Sequence, residues 1–196
     1  MITGHGGVAG ILGSTPPRPI STQFLLALLA ASVLPDILDV AFVVVGFCNP
    51  YGLYSHTAFV VALQAAVVGG MALLATQSRA TAVTFAAVVL LHVPGDLITG
   101  RKLFLPGGDF VGLHLYARAP VDWAIETPLA LLGWWLLRRT GNAPRWAASY
   151  VAAAVLVTVQ TIFGLYAATH ITGLKPSACV PAPMAMAHQE ALVAGS

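Results

Sequence analysis

Apolar residues run through this chain in long blocks separated by short polar breaks. A helix needs roughly 20 residues to cross a bilayer, and the blocks at about 22–47, 57–76, 81–100, 119–138 and 146–169 meet that length. The pattern predicts an all-α, polytopic helical membrane protein with about five transmembrane helices. Trp123, Trp134, Trp135 and Trp146 cluster near block ends, where interfacial aromatics sit. Arg138-Arg139 closes the fourth block sharply. Ahead of the first block lies His5–Gly13, a Gly-rich apolar stretch ended by Pro16-Pro17. It is too short to cross and is expected to be a half-helix covered by the bundle, since short segments survive at membrane depth only under protein cover. Between blocks three and four, Arg101–Pro120 carries apolar side chains around a Pro106-Gly107-Gly108 turn. It is expected to lie at the interface over the mouth of a site. Residues 1–175 then form one transmembrane domain, and residues 176–196, Pro/Ala-rich, a flexible tail.

Composition agrees with a bilayer setting. Charged residues make up 8% of the chain and hydrophobic ones 58%, with mean hydropathy +0.83; a soluble domain carries about 25% charged residues. Net charge is +2, and no basic patch interleaves with aromatics, so a nucleic-acid partner is not expected. Met1–His5 lacks the basic and apolar regions of a cleavable signal peptide, and the first span is expected to stay in the mature protein. With five spans, Arg18, Arg79, Arg138, Arg139 and Arg145 share one side, against Arg101, Lys102, Arg118 and Lys175 on the other. The positive-inside rule then favours a cytoplasmic N-terminus by one residue. Cys48 and Cys179 fall on a common side, where a disulfide requires an oxidising compartment. No CxxC spacing exists.

Ionisable residues change the picture most. Asp36 and Asp39 interrupt the first block, and His92 and Asp96 the third; His56 stands where the second begins and His5 near the start of the chain. Such groups are expensive inside a membrane and persist mainly when they pair, bind ions or do chemistry. At 1.5 Å per residue, Asp36 lies roughly 18 Å along its span from Phe24, with His92 roughly 16 Å and Asp96 roughly 22 Å from Thr81. Spans one and three run the same way and the second runs back from His56, so four groups converge on one face. His5 joins them if its stretch folds back to that depth. Pro94-Gly95 sits between His92 and Asp96, and Pro35 beside Asp36, so both helices are expected to be disturbed there.

Imidazole and carboxylate are the usual ligands of zinc and other divalent ions, and a cation compensates carboxylates that burial would otherwise leave uncompensated. His5, Asp36, His56, His92 and Asp96 are the candidate ligands for one or two ions, zinc first and manganese second. A metal there acidifies a bound water, the physical route to hydrolysis. Plainer readings stand beside this one. His92 and Asp96 can glue helices by hydrogen bonds, Asp36 can cap the helix after a Pro35 break, and His56 can be an interfacial histidine. Asp39 is either a second ligand, a handler of protons or a partner for Ser or Thr. Glu126, in the fourth span, is a candidate acceptor for a ligating histidine or a general acid/base. Asp122 is expected to be solvated. His114, His170 and His188 read as interfacial or tail residues. No GxSxG, HExxH or P-loop occurs, and Ser55-His56 adjacency is no sign of a nucleophile–base pair.

The order Gly4-His5, Leu34-Pro35-Asp36, Ser55-His56-Thr57 and His92-Val93-Pro94-Gly95-Asp96, then Leu105-Pro106-Gly107, Val111-Gly112-Leu113 and Glu126, resembles a family of bacterial inner-membrane metal-dependent hydrolases over about residues 4–139. The resemblance implies a multi-span helical protein with a His/Asp metal site and hydrolase activity. Some members of the wider group are likened to zinc-dependent phospholipase C, which implies an ester or phosphoester substrate of amphiphilic kind. Two departures bear on it. Pro94-Gly95 stands where apolar helix formers are expected, and Pro35-Asp36-Ile37-Leu38-Asp39 replaces a tighter Asp-x-Asp. Two other classes fit the same residues: a small cation or proton transporter, and a non-catalytic membrane scaffold.

Overall fold

The computed structural model describes residues 2–13, 20–49, 52–106, 108–113, 115 and 118–166. They form helices α1 (Ile2–Gly13), α2 (Thr22–Ser32), α3 (Leu34–Val44), α4 (Ala58–Thr76), α5 (Arg79–Leu90), α6 (His92–Thr99), α7 (Ala119–Thr140) and α8 (Tyr150–Tyr166), with two short strands, β1 (Lys102–Leu103) and β2 (Phe110–Val111), ahead of α7. The tail, the loop residue His114, and His170, Cys179 and His188 lie outside the described residues.

One expected span is bent and another is interrupted, and proline explains both. Pro35 has no N–H to continue the ladder from α2. The Val33 N–H turns back to Ala30 O and Ala31 O, and α3 leaves at 63° to α2. Pro94 interrupts the ladder further on, inside the single span Arg79–Thr99, and Gly95 N–H still reaches Leu91 O at 3.3 Å. The Leu91 N–H bonds Ala87 O and Val89 O, and α6 starts afresh at His92. Each proline falls in the first turn of the new helix, where a missing N–H costs nothing. The chain thereby starts two helices in the interior, each carrying site residues in its first turns.

Ala58–Thr76 and Arg79–Thr99 are long and apolar enough to cross a membrane, and the bent pair Thr22–Ser32 with Leu34–Phe42 makes a third candidate. The remaining two expected spans do not reach that standard among the described residues. Helix α7 carries Asp122, Glu126, Arg138 and Arg139, and the apolar stretch of α8 is only Tyr150–Ile162. The outer surface is apolar all the same. Val44 is 78% exposed, Leu74 77% and Val151 71%, as expected of side chains that meet lipid rather than water. The interior is a small-residue core of Ala9, Leu28, Ala31, Val61, Ala65, Val88 and Val89, drawn from α1, α2, α4 and α5.

Helix α1 is the half-helix expected from the Gly-rich stretch, and it packs along α7. The contact is backbone against backbone. A Cβ on Gly133 would lie 2.2 Å from Gly7 O, and one on Gly7 2.5 Å from Leu129 O. Small residues that let helices approach this closely are how apolar bundles gain dispersion energy when lipid is as oily as the helix surface. The segment after α6 is a hairpin rather than a plain interfacial stretch. Lys102 pairs with Val111 and Leu103 with Phe110. Ala58 N–H donates to Phe104 O at 3.0 Å and Leu113 N–H to Leu97 O at 2.8 Å, which ties the hairpin to the start of α4 and the end of α6.

Gly133→Ala should therefore destabilise the protein by about 1–3 kcal/mol through overpacking. Gly70→Ala, whose Cβ meets nothing within 4 Å, should be neutral or stabilising by about 0.5–1 kcal/mol. Thermal unfolding in detergent compares them, and equal melting temperatures would show that α1 does not sit against α7.

Candidate metal centre

Helix starts assemble the site. Asp36 lies in the first turn of α3. His92 opens α6 and Asp96 follows one turn later. His56 immediately precedes Thr57, the N-cap of α4, and His5 lies near the start of α1. A helix N-terminus favours negative charge, so Asp36 stands where a carboxylate is stabilised.

All five expected ligands meet. His56 Nε2 is 3.2 Å from Asp36 Oδ1 and 3.7 Å from Asp96 Oδ2. His92 Nε2 is 3.8 Å from the same Asp36 atom and 3.5 Å from the same Asp96 atom. Donors about 2.0–2.2 Å from a zinc ion stand roughly 3.3–3.6 Å apart in a tetrahedron, and these four edges lie close to that range. His5 Nε2 is 3.7 Å from Asp96 Oδ1, and its ring stacks on that of His92 with centroids 3.7 Å apart. The residues divide into two overlapping sets with metal-ligand spacing, His5–His92–Asp96 and Asp36–His56–His92. His5 Nε2, His92 Nε2, Asp36 Oδ2 and Asp96 Oδ2 are buried with no hydrogen bond. Buried polar atoms are nearly always satisfied, so four such atoms on one cluster of side chains fit a cation.

The imidazoles are aimed from behind. His92 Nδ1 donates to Ser32 O at 3.1 Å, which leaves the Nε2 lone pair for the site. His56 Nδ1 lies 3.1 Å from Asp39 Oδ2 and 2.7 Å from Ser55 Oγ, so its Nε2 likewise faces Asp36. Asp39 Oδ1 in turn accepts from Asn49 Nδ2 and from Ser55 Oγ. Asn49 Oδ1 takes the Tyr54 N–H at 2.7 Å, and Gln64 Nε2 donates to Ser55 O at 3.0 Å. Asp39 thus stands behind His56, with Ser55 as one of its partners, and belongs to neither ligand set. This is a carboxylate–histidine relay of the kind that orients metal ligands.

Exposure defines the open side. The His5, His56 and His92 side chains are at most 2% exposed and that of Asp96 7%, against 32% for Asp36 and 26% for Lys102. His56 sits outside the apolar helices. Burial and the Lys102 charge pull its pKa down, but hydrogen bonds to Asp36 and Asp39 outweigh them and raise it above the ordinary 6.5.

Glu126 is fully buried on α7, one turn after Asp122; neither belongs to a metal-capable group among the described residues. Asp122 was expected to be solvated, yet it is 3% exposed, on the helix against which α1 packs. Cys48 is disulfide-bonded, and the chain's other cysteine, Cys179, lies outside the described residues. Compared with protein-family models, with curated proteins and with solved structures, the chain matches none.

Sequence reasoning did not pick out Asn49, Gln64, Lys102 or the Ser32 carbonyl. Ser55-His56 adjacency was a usable signal for the relay, though not for a nucleophile. A backbone carbonyl leaves no trace in residue identities.

Two outcomes follow. Asp39→Ala should weaken zinc or manganese binding about 10- to 100-fold while Ser32→Ala, which keeps the carbonyl, leaves it unchanged; competition with a chromophoric chelator reads both. In the metal-free protein, the raised His56 pKa means its imidazolium stabilises the fold fully below pH 6.5, and that contribution is lost as the pH rises through the folded value. Asp39→Asn should lower the pKa, read from ring-nitrogen NMR shifts; an unmoved titration would contradict the relay.

Proposed function

We propose that this protein is a membrane-embedded, metal-dependent hydrolase acting on an ester or phosphoester, with a lipid-like amphiphile as the substrate that suits a site at the membrane interface. The observation that carries the reading is the mutual spacing of His56 Nε2, His92 Nε2, Asp36 Oδ1 and Asp96 Oδ2, between 3.2 and 3.8 Å along four edges, with His92 Nε2 and Asp96 Oδ2 buried and without a hydrogen bond. Zinc suits this mixture of imidazole and carboxylate best, with manganese second. A divalent cation bound there supplies Lewis acidity and a lowered pKa for water. The chain's own part is positioning. Asp36, His56, His92 and Asp96 hold the ion, and His5 shields its buried side or joins as a further ligand. Asp39 keeps the His56 tautomer fixed. Asp36, the most exposed of the ligands, is the carboxylate nearest to where water enters, and it is suited to orient a nucleophilic water or take its proton. Glu126, one turn from Asp122 on α7, is the other candidate acid/base.

The same reading takes α2 with α3, α4, α5 with α6, α7, and α8 as five spans in a bacterial inner membrane. Arg79, Arg138, Arg139 and Arg145 then mark the cytoplasmic end. The disulfide at Cys48, next to Asn49 of the site network, supports an oxidising compartment at the other end, so the site opens away from the cytoplasm. The order of motifs shared with bacterial inner-membrane metal-dependent hydrolases points the same way.

A cation transporter is the second reading, because a bent helix and an interrupted one meet at the site and transporters bind ions at such breaks. Elemental analysis of the detergent-purified protein beside a His92→Ala/Asp96→Ala variant is the decisive test. Stoichiometric zinc or manganese in the wild type, lost in the variant, together with metal-dependent cleavage of chromogenic phosphodiesters or carboxyl esters, is the expected result. Metal binding without cleavage but with metal flux into liposomes would replace the hydrolase by the transporter. No metal, even after reconstitution, would leave only helix-packing polar pairs.

A further inference from the structure

The hairpin that follows α6 delivers a cation to the open side of the candidate metal centre. Lys102 is the first residue of β1 and pairs with Val111, while its neighbour Leu103 is buried at 3% exposure. Strand alternation therefore turns Lys102 away from Leu103's apolar side. Its Nζ lies 3.9 Å from Asp96 Oδ2, and its charge acts on Asp39 and His56 as well. The placement is rigid. Gly112, on the far side of the hairpin, has φ +128, and a Cβ there would lie 2.2 Å from Gly100 O, so the hairpin base sits directly on the backbone after α6. With the Ala58 and Leu113 hydrogen bonds, the hairpin is tied at both edges.

At 3.9 Å the ammonium is attracted to Asp96 but makes no hydrogen bond with it. Asp96 Oδ2 also faces His56 and His92 at 3.7 and 3.5 Å, so a metal on those nitrogens takes up the carboxylate's charge. Lys102 then keeps its three donors beside the metal and on its more exposed side. A neutral ligand has no use for them; an anionic oxygen does.

We propose that Lys102 is a substrate-binding residue that pins an anionic oxygen of the group bound at the metal centre, which makes the substrate class an oxyanion: a phosphoester first, a carboxylate second. This inference rests on the metal-centre reading above. The lysine acts as a point charge on the bound anion, oriented by the hairpin while the metal ligands come from α3, α4 and α6.

The test titrates zinc-loaded protein in detergent with inorganic phosphate, with acetate and with neutral imidazole, for wild type, Lys102→Met and Lys102→Arg, by calorimetry. Zinc content is measured first for each. Full zinc in Lys102→Met with phosphate binding weakened about 10- to 100-fold, the loss of a charge-assisted hydrogen bond, and with imidazole affinity unchanged, is the expected result; Lys102→Arg retains most of the affinity. Acetate weakened as much as phosphate would assign a carboxylate-type oxyanion, and phosphate alone a phosphoester. Full zinc with unchanged phosphate affinity in Lys102→Met overturns the lysine's role and leaves the metal centre standing. A wild type that takes up no zinc overturns both.

Discussion

The site depends on burying Asp96. A carboxylate at 7% side-chain exposure in an apolar bundle pays a desolvation cost of several kcal/mol, and an ion pair at 3.9 Å with Lys102 recovers only part of it. Three imidazoles gather round the same carboxylate, two of them with Nε2 lone pairs aimed inward. Neutral imidazoles that present lone pairs to carboxylates repel rather than bind them. The arrangement is balanced only if a proton or a cation sits between them, and the surrounding helices are organised around meeting that requirement.

The broken helices are one answer. A straight helix through residues 22–44 or 79–99 would carry Asp36, His92 and Asp96 past one another with no free backbone ends nearby. The restart at Pro35 turns the chain by 63°, and the one at Pro94 interrupts the helix inside the span Arg79–Thr99; both put site residues in the first turns of a new helix. The breaks also expose the carbonyl of Ser32, which α2 leaves for His92 Nδ1. The interruption that bends the backbone thus supplies the acceptor that fixes a ligand.

Helix α1 is the other answer. It runs along α7 close enough for Gly7 and Gly133 to touch backbone to backbone, and this lets a 12-residue helix stack the His5 ring on that of His92. The same contact seals Asp122 and Glu126 away from solvent. The hairpin closes the remaining side with Lys102, so apolar helices cover the buried side of the cluster while Asp36 and Lys102 mark the side open to water. A polar group approaching from that side meets the Lys102 ammonium and the Asp36 carboxylate together.

The sequence by itself determined the helical, apolar character of the chain, the half-helix ahead of the first span, and the convergence of Asp36, His56, His92 and Asp96, while His5 joins them only through the packing of α1. Those depend on block length, helical rise and the cost of burying charge, all of which are readable from residue identity and spacing. The prolines also announced both helix breaks. Tertiary structure alone decided the rest. Whether Asp39 faces the site or backs His56 depends on a rotation of α3 against the loop bearing Asn49 and Ser55, and spacing does not encode rotation. The burial of Asp122 depends on α1 lying against α7. The place of Lys102 depends on a hairpin of two-residue strands, too short to leave an alternating pattern. In each case the deciding contact joins residues far apart in the chain, where local periodicity carries no information.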